Sequence, residues 1–303
     1  MSIRFDGQVA IVTGAGRGLG RSHALGLAAR GARVVIVDFT PPDGPSLSSS
    51  QRVVSEIEEA GGTAVAANVD VTDFASVQSL VDETIRRWGR VDIVVNNAGI
   101  LRDKTFAKME LSDFRQVMEV HVMGSVHCAK AVWPVMREQA YGRILLTSSS
   151  SGLYGNFGQA NYGTAKAAML GLMNVLHLEG ERYNIRVNML LPTAATAMTE
   201  GLLTPLVKEQ LDPASVTPAV LFLVSKETPS RVMLCAGAGS FARTLIVETQ
   251  GVHLPPDSRT PENIAAAFGR ISDPAGAITM ANAFEQTEKL AAPAIARSQP
   301  VGH

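Results

Sequence analysis

Residues 9 to 20 read VAIVTGAGRGLG, an apolar run that breaks into a glycine-rich turn and then enters a helical pattern. The run is short and rich in valine and isoleucine, as a strand covered on both faces must be. Gly14, Gly18 and Gly20 follow a G-x-x-x-G-x-G spacing, and Leu19 falls where the last glycine of the alternative G-x-G-x-x-G spacing would stand. Glycines at these points permit a tight turn and let a pyrophosphate lie against backbone amides at a helix N-terminus. A glycine-rich turn is weak by itself. Placed directly after the first strand, it points to a dinucleotide crevice.

Outward from this turn, short β-branched runs alternate with helical spacing. RVVIVDF, TAVAANVDV and VDIVVNNAG read as buried strands. Between the last two, Val77, Val81, Ile85 and Trp88 keep helical spacing after a start at Thr72-Asp73, and Gly89 stops the helix. The alternation continues through a helix from about Ser112 to Gln139, the strand GRILLTSSS, a helix holding Tyr162 and the strand IRVNMLLP. A helix from about Pro213 to Ser225 then leads to RVMLCAG, read as the last strand. Such alternation predicts an α/β fold with a doubly wound parallel sheet of about seven strands, joined by right-handed crossovers. The Pro/Gly/Ser stretch TPPDGPSLSSS, residues 40 to 50, is expected to be a flexible loop. Residues 1–239 are read as one dinucleotide-binding and catalytic domain and 240–303 as a helical appendage. In the appendage Thr260 caps a helix with Pro261 at its first position, a second helix is expected near Ala277 to Leu290, and ARSQPVGH is expected to fray.

The 303 residues are 46% hydrophobic and 18% charged, enough to bury a large core. A net charge of −1 offers no general attraction for nucleic acid or an anionic membrane. No apolar run approaches the roughly 20 residues that span a bilayer, and the start MSIRFDGQV lacks the apolar core of a signal peptide, so a cytoplasmic protein is expected. The two cysteines, Cys128 and Cys235, have no metal-site spacing, and no metal is expected.

Asp38 ends the second strand, where a carboxylate accepts bonds from the adenosine ribose hydroxyls and repels a 2′-phosphate. Arg17, in the glycine turn, pulls toward NADP; Asp38, at the ribose position, outweighs it, and NAD is the expected cofactor. Asp70 and Val71 end the third strand and can frame an adenine, with a plain turn role for Asp70 as the alternative. Asn97, Ala98 and Gly99, after the fourth strand, are small enough to let the backbone lie against the cofactor; Asn96 and Asn97 can instead satisfy loop amides.

Ser149 lies near the end of GRILLTSSS, and Tyr162 and Lys166 share one face of the following helix at i and i+4. A free phenol titrates near 10 and is a poor base at neutral pH. A neighbouring ammonium and a nicotinamide cation favour the phenolate, which then takes a hydroxyl proton while the carbon gives up hydride. A serine hydroxyl can hold the reacting oxygen. The order of glycine turn, strand-end serine and Tyr-x-x-x-Lys is far more specific than any one part.

Together these residues resemble the short-chain dehydrogenase/reductase family, whose fold is a single Rossmann-type domain. The resemblance implies that Gly14 to Gly20 hold the dinucleotide, that Asn96 to Gly99 form the structural motif, and that Ser149, Tyr162 and Lys166 are catalytic. It implies cofactor contacts from Pro192, Ala194 and Thr196, although Thr193 replaces the usual glycine. His121 stands where many members carry a relay asparagine; it joins a water relay or is a satisfied core histidine. RFDGQVAIVTGAGRGLGR, NNAGILRDKTFAKM and YGRILLTSSSSGLYGNFGQANY are similar to the branch that oxidises (3R)-hydroxyacyl-CoA and some hydroxysteroids. The expected protein is therefore an NAD-dependent alcohol dehydrogenase with a lipophilic substrate, a 3-hydroxyacyl-CoA thioester or a steroid alcohol. Alternatives are a polyol or sugar reductase and a non-catalytic dinucleotide sensor. Arg102 and Lys104 can meet CoA phosphates or be lone surface cations, and LLTPLVKEQL, from Leu202, reads as an apolar lid or a core or interface helix. The helices at about 112 to 139 and 160 to 184 imply, by resemblance, a homodimer or homotetramer.

Overall fold

The computed structural model describes residues 2–40, 48–195 and 210–298. It falls into two compact units, residues 1–243 and 244–303.

In the first unit, eight strands form one sheet in the order β3-β2-β1-β4-β5-β6-β7-β8. They are β1 (Val9–Thr13), β2 (Arg33–Asp38), β3 (Thr63–Asn68), β4 (Ile93–Asn96), β5 (Gly142–Thr147), β6 (Ile185–Pro192), β7 (Met233–Gly237) and β8 (Ser240–Thr244). The ladders from β3 to β7 are parallel. The helices are α1 (Gly18–Ala28), α2 (Ser49–Glu59), α3 (Phe74–Trp88), α4 (Leu111–Met118), α5 (Gly124–Glu138), α6 (Ser150–Tyr154), α7 (Ala160–Gly180) and α8 (Thr217–Leu223).

Every residue of β1, β4 and β5 is buried, which is why their sequences are unbroken apolar runs. The period of two in a strand sorts these residues between two cores. Val12, Ile36, Val95 and Leu145 face Leu27 of α1, Ile57 of α2 and Leu223 of α8. Ile11, Val35, Val94 and Ile144 face Val81 of α3, Val132 of α5 and Met169 of α7. Strand order reverses between β1 and β4, so a crevice opens at their carboxyl ends, where α/β sheets bind ligands. α3 begins and ends as read: Asp73 accepts from the Ala75 N–H, and Gly89 closes the helix at φ 76°.

Four elements differ from the sequence reading. The helix expected near Ser112 to Gln139 holds a π turn, Glu119–Met123, between α4 and α5. Ser49 already belongs to α2, inside the stretch read as a loop, because Ser48 and Gln51 form a capping box; residues 41–47 lie outside the described residues. β7 is followed by an eighth strand across a turn at Ala238 (φ 49°) and Gly239 (φ 74°). Two positive-φ residues make the tight hairpin that turns β8 antiparallel to β7. β8 is largely exposed and has no alternating apolar face to announce it.

In the second unit Thr260 caps α9 (Pro261–Ile271) by accepting from the Asn263 N–H. The helix expected near Ala277 to Leu290 is displaced to α10 (Ala283–Ser298), which therefore includes part of the tail expected to fray. Among the described residues no helix is long and apolar enough to cross a membrane, and no His/Cys/Asp/Glu group could hold a metal ion.

Candidate active site

The glycine turn is built against the loop that follows β4. Thr13 Oγ1 accepts from the N–H groups of Asn97 and Ala98, both at 3.0 Å, and Asn97 Nδ2 donates to the carbonyls of Thr13 and Gly14 at 2.9 and 3.2 Å. Of the two asparagines, Asn97 therefore satisfies loop backbone, whereas both amide atoms of Asn96 are buried without a hydrogen-bond partner. A Cβ on Gly14 would lie 2.9 Å from Ala98 Cα, and one on Gly20 would lie 2.3 Å from the Gly14 carbonyl. Gly14 and Gly18 also adopt positive φ, at 61° and 55°. Arg17 is the N-cap of α1 and makes no side-chain cap bond, and the first turn carries no acidic residue, so backbone N–H groups face the crevice. Leu19 turns away and packs against the core.

Asp38 stands at the carboxyl end of β2, beside this turn. Its Oδ2 accepts from Ser49 Oγ at 2.7 Å and its Oδ1 from the Phe39 N–H at 3.1 Å. A Cβ on Gly16 would lie 2.0 Å from Asp38 Oδ2, so Gly16 is required for the carboxylate to reach its place. Spacing along the chain does not mark Gly16 or Ser49; the Ser48–Gln51 capping box is the local signal that sets Ser49 on a helix start. Asp70 folds into a local turn, accepting from Thr72 N–H and Oγ1 at 2.9 and 2.8 Å. Val71 is buried against Gly124, where a Cβ would approach it to 2.7 Å, and its carbonyl accepts from His127. These glycine approaches and free helix-end donors form a cradle that fits a dinucleotide at the crevice.

Across the crevice, Ser149 caps α6, its hydroxyl accepting from the Ser151 N–H at 3.2 Å, and this hydroxyl is near enough to the Tyr162 phenol to act on its acidity. The two helices can lie this close because Gly152 abuts Lys166, where a Cβ would come within 2.7 Å of backbone. Lys166 is 4% exposed; its Nζ donates to the Thr147 carbonyl at 2.6 Å and lies 5.6 Å from the Tyr162 ring centroid. Burial pushes the Lys166 ammonium down to about 7. The expected lowering of the phenol is not what the protein's own groups produce. Burial raises Tyr162 above its ordinary value, the Ser149 hydroxyl offsets part of that, and the Asp103 carboxylate adds to it.

His121 lies in the π turn, its ring edge-on to Tyr162 at 5.3 Å between centroids. Its Nε2 is 2.8 Å from the Ile100 carbonyl and 3.0 Å from the Ile100 N–H, while Nδ1 is buried without a partner. Burial, then the nearby Lys166 charge, pushes it down to about 3, so the imidazole is neutral at physiological pH. Gly99 exists to admit this ring: a Cβ would lie 2.3 Å from His121 Cε1. π turns recur at functional sites because the extra residue turns a side chain out of register.

Arg102 and Lys104 are not lone cations; both reach Asp113, at 3.9 and 3.1 Å. Pro192 ends β6, and Thr193 continues its pairing to the Ala236 carbonyl at 2.8 Å. Ala194 packs against the core beside it. Thr196 and residues 202–209 of the expected lid lie outside the described residues.

A profile of the family described as short chain dehydrogenase matches residues 8–205. The chain belongs to this family. It is an oxidoreductase of that family, whose members use a nicotinamide dinucleotide. The short-chain dehydrogenase is 43% identical over 278 residues to peroxisomal multifunctional enzyme type 2 of Drosophila melanogaster, covering 89% of this chain and 46% of that protein. It thus spans about half the length of that relative. The solved structure of the full-length Drosophila enzyme superposes with a TM-score of 0.81 at 35% identity, over 97% of this chain and 50% of the other. A 7α-hydroxysteroid dehydrogenase solved with NADH and 7-oxo glycochenodeoxycholic acid gives a TM-score of 0.70 at 32% identity, over 78% of this chain and 95% of that one.

Proposed function

We propose that this short-chain dehydrogenase oxidises a lipophilic secondary alcohol, a 3-hydroxyacyl-CoA thioester or a hydroxysteroid, with NAD as acceptor. The buried Lys166 ammonium held 5.6 Å from the Tyr162 ring, with Ser149 at the start of the neighbouring helix and the glycine cradle opposite, carries this reading. Ser149 donates to the substrate oxygen and fixes it beside the phenol. Tyr162 removes the hydroxyl proton as the phenolate, and in the reverse direction returns it. Lys166, held by Thr147 one helical turn away, favours the phenolate in its protonated form. His121, neutral and buried, borders the phenol with one unpaired ring nitrogen that can hydrogen-bond a relay water. When bound, the dinucleotide supplies the two-electron acceptor.

Asp38, oriented by Ser49, favours NAD over NADP by bonding the ribose diol and repelling a 2′-phosphate. On the cofactor side we place Gly14, Arg17, Gly18, Gly20, Asp70, Val71, Asn97, Ala98, Gly99, Pro192 and Thr196, with Leu19 and Ala194 offering backbone alone because their side chains pack into the core. Residues 1–239 are assigned the catalysis and 240–303 the role of an appendage.

Exposed Phe106, Tyr154 and Phe157 belong to the two segments that flank Ser149 and Tyr162. Such a rim suits an acyl chain or a steroid better than a polyol. Relatives named peroxisomal multifunctional enzyme type 2, and a neighbour solved with a bile acid, support the same substrate class. Val175 and Leu178 leave apolar surface exposed on α7, which supports a homo-oligomer joined through α5 and α7. The test is a spectrophotometric screen of NAD reduction against 3-hydroxyacyl-CoA, hydroxysteroid and polyol alcohols. Turnover of the first or second class is expected; turnover confined to polyols overturns the substrate reading.

A further inference from the structure

The segment GNFGQANY, residues 155 to 162, contains a side chain that the chemistry above does not use. Gln159 stands at the N-cap of α7, where a short polar side chain usually bonds its own helix, yet it makes no cap bond. It is 9% exposed, and its amide is spent on three other places. Oε1 accepts from Ser151 Oγ at 2.8 Å and from Asn156 Nδ2 at 3.1 Å, while Nε2 donates to Asp103 Oδ2 at 2.7 Å. Only one amide orientation suits these partners, since Asn156 Nδ2 must donate and the Asp103 carboxylate must accept. One side chain therefore ties α6, which Ser149 caps, and the entry to α7, which holds Tyr162, to the loop after β4.

Two bonds to backbone carbonyls run beside it. Lys104 N–H donates to the Gly158 carbonyl at 3.0 Å, and Asn161 Nδ2 donates to the Arg102 carbonyl at 2.9 Å. Asn161 Oδ1 in turn accepts from the Tyr162 N–H at 2.7 Å. The loop after β4 thus leads from His121's contact at Ile100 to Phe106 on the rim, and it is pinned midway.

We propose that Gln159 and Asp103 form a latch that holds the loop after β4 against the Ser149–Tyr162 frame and so sets the width of the substrate crevice. Gln159 and Asp103 are positioning residues; neither touches the reacting atoms. Of the contacts joining loop and frame, the Gln159–Asp103 bond is the one between two side chains, with a charged acceptor that strengthens it. Its loss loosens the loop on the substrate side and leaves the glycine cradle alone. The proposal rests on the reading of Tyr162 as the acid–base group.

The test compares Asp103→Ala with Asp103→Asn, a pair at an exposed residue that leaves the buried amide in place. Steady-state kinetics use the best alcohol from the screen above, with NAD titrated separately. Asp103→Ala should cut kcat/KM for the alcohol by about 10²-fold while the KM for NAD stays unchanged, because a misplacement of about 1 Å costs that much. Asp103→Asn still accepts the Gln159 bond and should recover most of that loss. Gln159→Glu sets two carboxylates face to face and should behave like Asp103→Ala; adding Asp103→Asn reverses donor and acceptor and should restore turnover. A fully active Asp103→Ala, or a Gln159→Glu defect that the added Asp103→Asn does not relieve, overturns the latch. Tyr162→Phe separates the two readings. If it stays active the acid–base assignment falls; if it is dead while Asp103→Ala is fully active, only the latch falls.

Discussion

Tyr162 is a weak acid made weaker by burial, and its chemistry depends on what surrounds one oxygen. Replacing it with phenylalanine removes the proton while keeping the ring that meets His121 edge-on. Tyr162→Phe is expected to lower kcat by about 10² to 10⁴-fold with cofactor binding intact. Stopped-flow and steady-state rates check this, and near-normal turnover would refute the role. At the other end of the crevice, Asp38→Ala should weaken NAD binding and leave NADP binding equal or improved. Titration with both dinucleotides decides it; unchanged discrimination removes Asp38 from the ribose site. The places of Asp38, Ser149, Tyr162 and Lys166 were legible because each sits at a set place after a strand or along one helix face. Gly16, Ser49, Asp113 and Gln159 were not, because their roles depend on partners remote in the chain: Ser49 bonds Asp38, and Gln159 bonds Asp103.

At the scale of elements, α3 shows how completely a local signal can specify a helix. Asp73 caps it, the spacing of Val77 and Val81 buries one face, basic Arg86 and Arg87 fill its last turn, and Gly89 ends it. Asp73→Ala should lower the urea midpoint with unchanged kcat; an unchanged midpoint would mean that the cap bond contributes nothing net. The π turn at Glu119–Met123 had no such signal. Its extra residue leaves apolar spacing on either side intact, so periodicity reads straight through it. β8 was hidden for the opposite reason: it is exposed, and its strand state comes from pairing alone.

Over the whole molecule, two histidines are buried in the first unit, His23 on α1 and His121 beside the site. Burial holds both at about 3. The unfolded chain protonates them near 6.5, so it binds more protons than the folded one between about 3 and 6.5. Their contribution to stability is complete above that window and is lost as pH falls through it. Each pH unit below 6.5 removes up to about 1.4 kcal/mol per histidine. Lys166, held at about 7, has the same sign in a higher window, where stability rises with pH up to its unfolded value of 10.5. Urea midpoints measured from pH 7 to 5.5 should fall, and His23→Gln should flatten the slope. A midpoint flat over that range would mean that these rings are hydrated or already charged in the folded protein.

The chain by itself determined the alternating strands and helices, the glycine turn, and the positions of Asp38 at the end of β2 and of Ser149, Tyr162 and Lys166 around α6 and α7, because each follows from local spacing along one strand or helix. Only the tertiary structure decided which strands adjoin, and hence that the Gly14 turn meets Asn97 across the β1–β4 crevice. It also decided that Gly99 gives way to the His121 ring and that Gln159 grips Asp103. Hydrogen bonds and close packing act over about 3 to 4 Å in space without regard to separation along the chain, so such pairs exist only once the sheet has assembled.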